Sequence, residues 1–138
     1  MSPLVRVYLP ATLPALARLR ATGELTIPEG YVAAPDPDDE ERSYVAYRLA
    51  ADASVRLLRE DPGAPRRRVV ISADLPASPI GGGTVRLTGP VPRSAVVAIH
   101  IDGVAAEPDV AAAVAGGDEE VDHELEWYNA SELPHLPS

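Results

Sequence analysis

Residues 36–60 admit one regular structure, and that structure forces a second layer on the fold. Asp36 can cap a helix, Pro37 suits its first position, and Asp38, Asp39, Glu40 and Glu41 put negative charge at the positive end of its dipole. Tyr44, Tyr47, Ala51, Val55 and Leu58 then share one face, widened by Val45, Leu49, Ala53 and Leu57. Arg48, Asp52 and Arg56 make a ladder at i,i+4 spacing on the remaining face, and Asp61-Pro62-Gly63 ends the run. A helix with so wide an apolar stripe is held mainly by what it packs against.

The rest of the chain supplies the partner layer as strands. Residues 4–9 are β-rich and expected to end at Pro10, after which Thr12 caps a short helix carrying Leu13, Leu16 and Leu19 and stopped by Gly23. Residues 24–37 hold Pro28, Gly30, Pro35 and Pro37 and read as loop with a short extended piece at Tyr31-Val32. Val69-Val70-Ile71 predicts a strand buried on both faces, residues 84–88 a second, and residues 94–102 a third that starts in a helical turn. Pro108 opens a short helix ended by Gly116-Gly117. Val121, His123, Leu125 and Trp127 alternate with Asp122, Glu124, Glu126 and Tyr128, the pattern of a half-buried edge strand with an acidic outer face. Asn129 with Glu132 forms a capping box for a terminal turn.

This order implies an α+β chain: a mixed sheet of about four to five strands with two or three helices packed mainly on one face. At 138 residues, with no internal repeat and no long linker, a single domain over 1–138 is expected. Phe is absent and Trp127 is the sole tryptophan, so the core must come from Val, Leu, Ile, Ala and five tyrosines.

Composition excludes some functions. Without cysteine there are no disulfides, thiol nucleophiles or thiolate metal sites, which fits a reducing compartment; with no apolar leader or membrane-length run, a cytoplasmic protein is expected. A net charge of −9 opposes binding to nucleic acid and to anionic membranes.

Three segments carry a family resemblance. Arg6-Val7-Tyr8-Leu9-Pro10-Ala11-Thr12, then Gly89-Pro90-Val91-Pro92 leading to Ile99-His100-Ile101-Asp102, then Glu126-Trp127-Tyr128 with Ser131-Glu132-Leu133-Pro134, resemble a family of small actinobacterial proteins known as a domain of unknown function. The resemblance spans nearly the whole chain and implies no activity, cofactor or catalytic residue.

Few residues offer chemistry. His100 and Asp102, two apart on one strand face, together with His123 could hold a divalent metal for a metal-assisted hydrolase, if the strands bring them together. The plainer reading makes Asp102 the start of an Asp-Gly turn and His100 a half-buried, hydrogen-bonded ring. Gly81-Gly82-Gly83 precedes a strand rather than a helix, so it reads as a connection and not a phosphate cradle. Arg66-Arg67-Arg68 reads as a match to the chain's own acids. Neither Ser72 nor Ser94 has a nucleophile signature. The favoured function is a non-enzymatic binding module, without cofactor, that contacts a protein partner or a second copy of itself. Its contact surface is the acidic edge of Glu120, Glu124, Glu126, Trp127 and Tyr128. Against that stands the stronger expectation that Trp127 is the core anchor of an aromatic-poor domain.

Overall fold

Val69, Val70 and Ile71 are fully buried, and the strand that carries them is at the centre of the architecture. The structure, a computed structural model, describes residues 4–33, 38–76, 79–81, 83–87, 89–117 and 120–137. The expected cap Asp36 with Pro37, and also Gly82, Thr88, Asp118 and Glu119, lie outside the described residues. The chain runs through β1 (Leu4–Ala11), α1 (Leu13–Thr22), β2 (Glu24–Leu25), β3 (Glu29–Tyr31) and α2 (Glu40–Arg59). There follow β4 (Val69–Pro76), β5 (Pro79–Gly81), β6 (Thr84–Arg86), β7 (Val91–Pro92), β8 (Val96–Ile101), α3 (Glu107–Gly116) and β9 (Glu126–Asn129).

The α+β class is as the sequence implies, and the sheet is larger than its four to five readable strands. Seven strands stand in the order β5-β6-β3-β1-β4-β8-β9, with β2 and β7 forming a separate pair. Every described pairing is antiparallel. The expected mixed sheet is replaced for a topological reason. β3 and β4 both run antiparallel to β1, so they point the same way, and the passage through α2 joins them across β1 instead of side by side. β1 also continues through Pro10, which pairs opposite Val70. Because β3 meets β1 only at Tyr8↔Tyr31, this stretch of β1 is paired on the β4 side alone, and a residue without an N–H is tolerated.

Alternation along β1 and β4 sorts the side chains. Val7, Leu9, Ile71, Ala73 and Leu75 face the main core, where Leu13, Leu16 and Leu19 of α1 and Leu133 of the terminal turn complete it. Tyr8 and Val70 face the other way, toward Tyr47, Ala50 and Ala51 of α2. α3 packs on α2 through Val110 and Ala113 against Val55 and Leu58. Among the described residues α2 thus covers this face of the sheet, with α3 beside it, and α1 covers the other.

α2 begins at Glu40, capped by the Asp39 carboxylate, which accepts from the Arg42 N–H at 3.1 Å. Its buried Ser54 donates to the Ala11 carbonyl at 2.7 Å and accepts from the Val69 N–H at 3.1 Å, fixing the helix to β1 and β4 at once. The three consecutive arginines are also structural. Arg66 donates to the Leu58 and Asp61 carbonyls at the end of α2, Arg67 to the Asp102 carbonyl, and Arg68 to the Asp102 carboxylate. The capping box forms, with Glu132 accepting from the Asn129 N–H at 2.8 Å.

Gly30 stands where the packed core leaves no room for a side chain. A Cβ there would stand 2.5 Å from Val7 Cγ1 and 2.9 Å from Leu9 Cδ2, both in the packed core. Gly30→Ala is expected to destabilise the fold by about 1–3 kcal/mol, the usual effect of overpacking, read as a lower urea midpoint at unchanged slope.

Candidate functional site

The register across the sheet lays Pro10, Val70, His100 and Trp127 in one row, with Tyr8, Ser72 and Ala98 in the next but one. α2 crosses this face. Tyr47 sets its ring 5.3 Å from His100 at 61°, edge to face, and 5.9 Å from Tyr44 at 41°. Between these rings and the loop before β9 is an open hollow of ≈ 370 Å³, bounded by Tyr8, Tyr44, Tyr47, His100, Glu40 and Glu124. The Tyr44 hydroxyl donates to Glu124 Oε1 at 2.9 Å, and the Tyr47 hydroxyl accepts from the Leu125 N–H at 3.2 Å.

Burial sets the electrostatics here. It depresses the His100 pKa from the usual imidazole value to about 4, so the ring is neutral at physiological pH. Burial raises the Tyr47 pKa; the Leu125 hydrogen bond opposes this and the charge on Glu124 reinforces it. His100 Nε2 shares a hydrogen bond with Ser72 Oγ at 2.9 Å. A serine–imidazole pair suggests an activated nucleophile, but two observations argue against that chemistry. Ser72 is buried, and among the described residues no carboxylate hydrogen-bonds His100 to orient it. The pair fastens β4 to β8.

A larger hollow of ≈ 500 Å³ opens between the start of α1 and the second half of α2. Its rim mixes Arg18 and Arg56 with Glu29, Glu60 and Asp61 over an apolar floor, so its charge selects no ligand class.

The structure keeps the expected metal ligands apart. Asp102 does lie opposite Arg68 at the end of β8, but Arg68 occupies both of its oxygens, through Nε at 2.8 Å and Nη2 at 2.8 Å. His123 Nε2 pairs with Asp109 Oδ2 at 2.6 Å, while its carbonyl accepts from Arg68. His100 is engaged by Ser72 and Tyr47. Among the described residues no group of three or more imidazoles and carboxylates is placed to hold a metal ion.

The acidic edge differs from its expected form. Residues 121–125 are irregular, and the strand begins only at Glu126. Val121 and Leu125 still point inward, but Trp127 does not. The expectation that it anchors the core is overturned, because it is 59% exposed at the end of a row whose inner members are covered by α2. Exposed Glu120, Glu124 and Glu126 accompany it, and the Tyr128 hydroxyl donates to Glu126 at 2.7 Å, which raises the phenol's pKa. In the sequence Tyr44 and Tyr47 of this hollow are visible only as part of an apolar helix stripe, and Tyr8 only as a residue of the first strand.

Residues 5–136 match the model of a family of unknown function, DUF6912. The chain belongs to that family. No curated protein and no solved structure matches it. The DUF6912 assignment therefore leaves the geometry to carry the functional argument. Among the described residues, no helix of this DUF6912 domain is long and apolar enough to cross a membrane.

Proposed function

We propose that this DUF6912 domain is a non-enzymatic binding module that docks an extended, basic segment of a protein partner along β9. The observation that carries this reading is the exposed Trp127 on the last strand of the sheet, with exposed Glu124 and Glu126 just before it in the chain. An edge strand offers unpaired backbone groups to an added strand, and a large rigid aromatic beside it supplies an anchor. Glu120, Glu124 and Glu126 favour Arg or Lys in the added segment and repel acidic ones. A second copy of the chain is a poorer occupant, since two such edges would set like charges together at a net charge of −9 each. The same charge disfavours nucleic acid and anionic membranes as partners, and the absence of cysteine supports a cytoplasmic setting.

Selection from a random displayed-peptide library tests the proposal. Enriched peptides should combine basic with β-branched residues. Trp127→Ala should weaken them by roughly 10–30-fold, the scale of a central aromatic anchor. The double change Glu124→Lys/Glu126→Lys should abolish the preference for basic sequences. If nothing is enriched, or if the enriched peptides bind all these variants equally well, β9 is not a docking edge.

A further inference from the structure

We propose that the hollow between α2 and the β8 end of the sheet binds an alkylated ammonium head group. Tyr8, Tyr44 and Tyr47 stand around it, and Glu40 and Glu124 supply negative charge at its border. The tyrosine pair meets at 41° and Tyr47 meets His100 at 61°, so the rings form a corner rather than a flat stack. That arrangement is what a cation with an apolar shell requires. Ring faces attract the charge, the ring surfaces accommodate the methyl groups, and a nearby carboxylate compensates the charge without having to donate a hydrogen bond.

Two further features support the assignment, and a neighbouring arginine works against it. Among the described residues no arginine lines the hollow, and its one potentially basic member, His100, is half-buried and held neutral. Arg48 lies against the Tyr44 hydroxyl and in the field of Glu124, so it offsets part of the negative charge and sets the competition a ligand must win. Tyr44 is half exposed and already bonded to Glu124, which holds ring and carboxylate in one unit before any ligand arrives. The volume of ≈ 370 Å³ suits a head group and a short tail rather than a large ligand. This site does not depend on β9 as a docking edge. Its ligand is either a free quaternary amine or the methylated lysine of a peptide, and the chemistry of the head group is shared.

Titration of the full chain with tetramethylammonium, followed by backbone amide NMR, is the direct test. Saturable shifts are expected at residues 40–47, at His100 and at residues 124–125. A neutral isostere with a tert-butyl group in place of the ammonium should produce no comparable saturation. Glu124→Gln and Tyr44→Ala, both exposed positions, should each weaken binding by about 3–10-fold with the amide dispersion retained. Trp127→Ala should leave it intact, which separates this site from the β9 edge. A glycine betaine arm and a trimethyllysine peptide arm then identify the source by whichever binds more tightly. Absence of saturation with tetramethylammonium, equal binding of the neutral isostere, or loss of binding in Trp127→Ala would overturn the assignment.

Discussion

Asp102→Ala is expected to lower the unfolding free energy by about 3–5 kcal/mol, the scale found when one partner of a buried ion pair is removed. Arg68 and Asp102 are 1% and 0% exposed, and the carboxylate accepts from the Arg68 backbone N–H as well as from two guanidinium nitrogens. Removing it leaves a guanidinium in the interior whose remaining acceptor among the described residues is the His123 carbonyl at 2.7 Å. The damage should extend beyond the pair. Arg68 precedes β4, Asp102 follows β8, and His123 belongs to the segment that leads into β9, so one guanidinium ties together three chain passages. Replacing both partners, as Arg68→Met/Asp102→Leu, should recover part of the loss, because no charge is left buried, although the backbone N–H at position 68 and the His123 carbonyl lose their partners. Urea unfolding followed by far-ultraviolet circular dichroism measures both variants. A loss under about 1 kcal/mol for Asp102→Ala would mean that water reaches Arg68 and that the pair is not the closed unit described.

The same residues show what a sequence can and cannot convey. α2 is legible because its stripe repeats over five turns and survives any small error in its start; the described helix runs from Glu40 to Arg59. β4 was legible because three consecutive β-branched residues buried on both faces have few other homes. β2, β3 and β7 are two or three residues long and contain or border Pro and Gly, so no periodicity can develop in them. Yet β3 decides the topology, since its pairing with β1 turns a plain strand–helix–strand passage into a split one. Asp102 follows β8 directly, and its partner Arg68 is 34 residues away and becomes visible only with the register of β4 on β8. Trp127 departs from its expected burial for a related reason. Burial of a large apolar residue is a rule for surfaces that another layer covers, and α2 does not cover the last strand of the sheet. The aromatic hollow lay beyond reach because it joins Tyr8, Tyr44, Tyr47 and His100 from three separate elements.

His100 should make the fold sensitive to acid in a defined window. Its pKa falls from about 6.5 in the unfolded chain to about 4 in the folded one, because burial penalises the imidazolium. Above pH 7 the ring is neutral in both states and contributes nothing. Between those two values the unfolded chain binds a proton that the folded chain refuses, so stability falls as pH falls, by up to about 1.4 kcal/mol per pH unit. Below about pH 4 both states are protonated and the loss levels off at roughly 3 kcal/mol. His100→Gln keeps a hydrogen-bonding group beside Ser72 and removes the titration. It is expected to flatten the pH dependence through this window, so that its stability relative to the parent chain improves by about 3 kcal/mol between pH 7 and pH 4. Other groups that titrate there act on both chains and cancel in the difference. Urea unfolding at a series of pH values gives the comparison, and the ring Cε1–H resonance of His100 gives the midpoint directly. Parallel pH profiles for the two chains, or a midpoint near that of a free imidazole, would show that solvent reaches the ring past Tyr47 and that the wall of the hollow is looser than the structure has it.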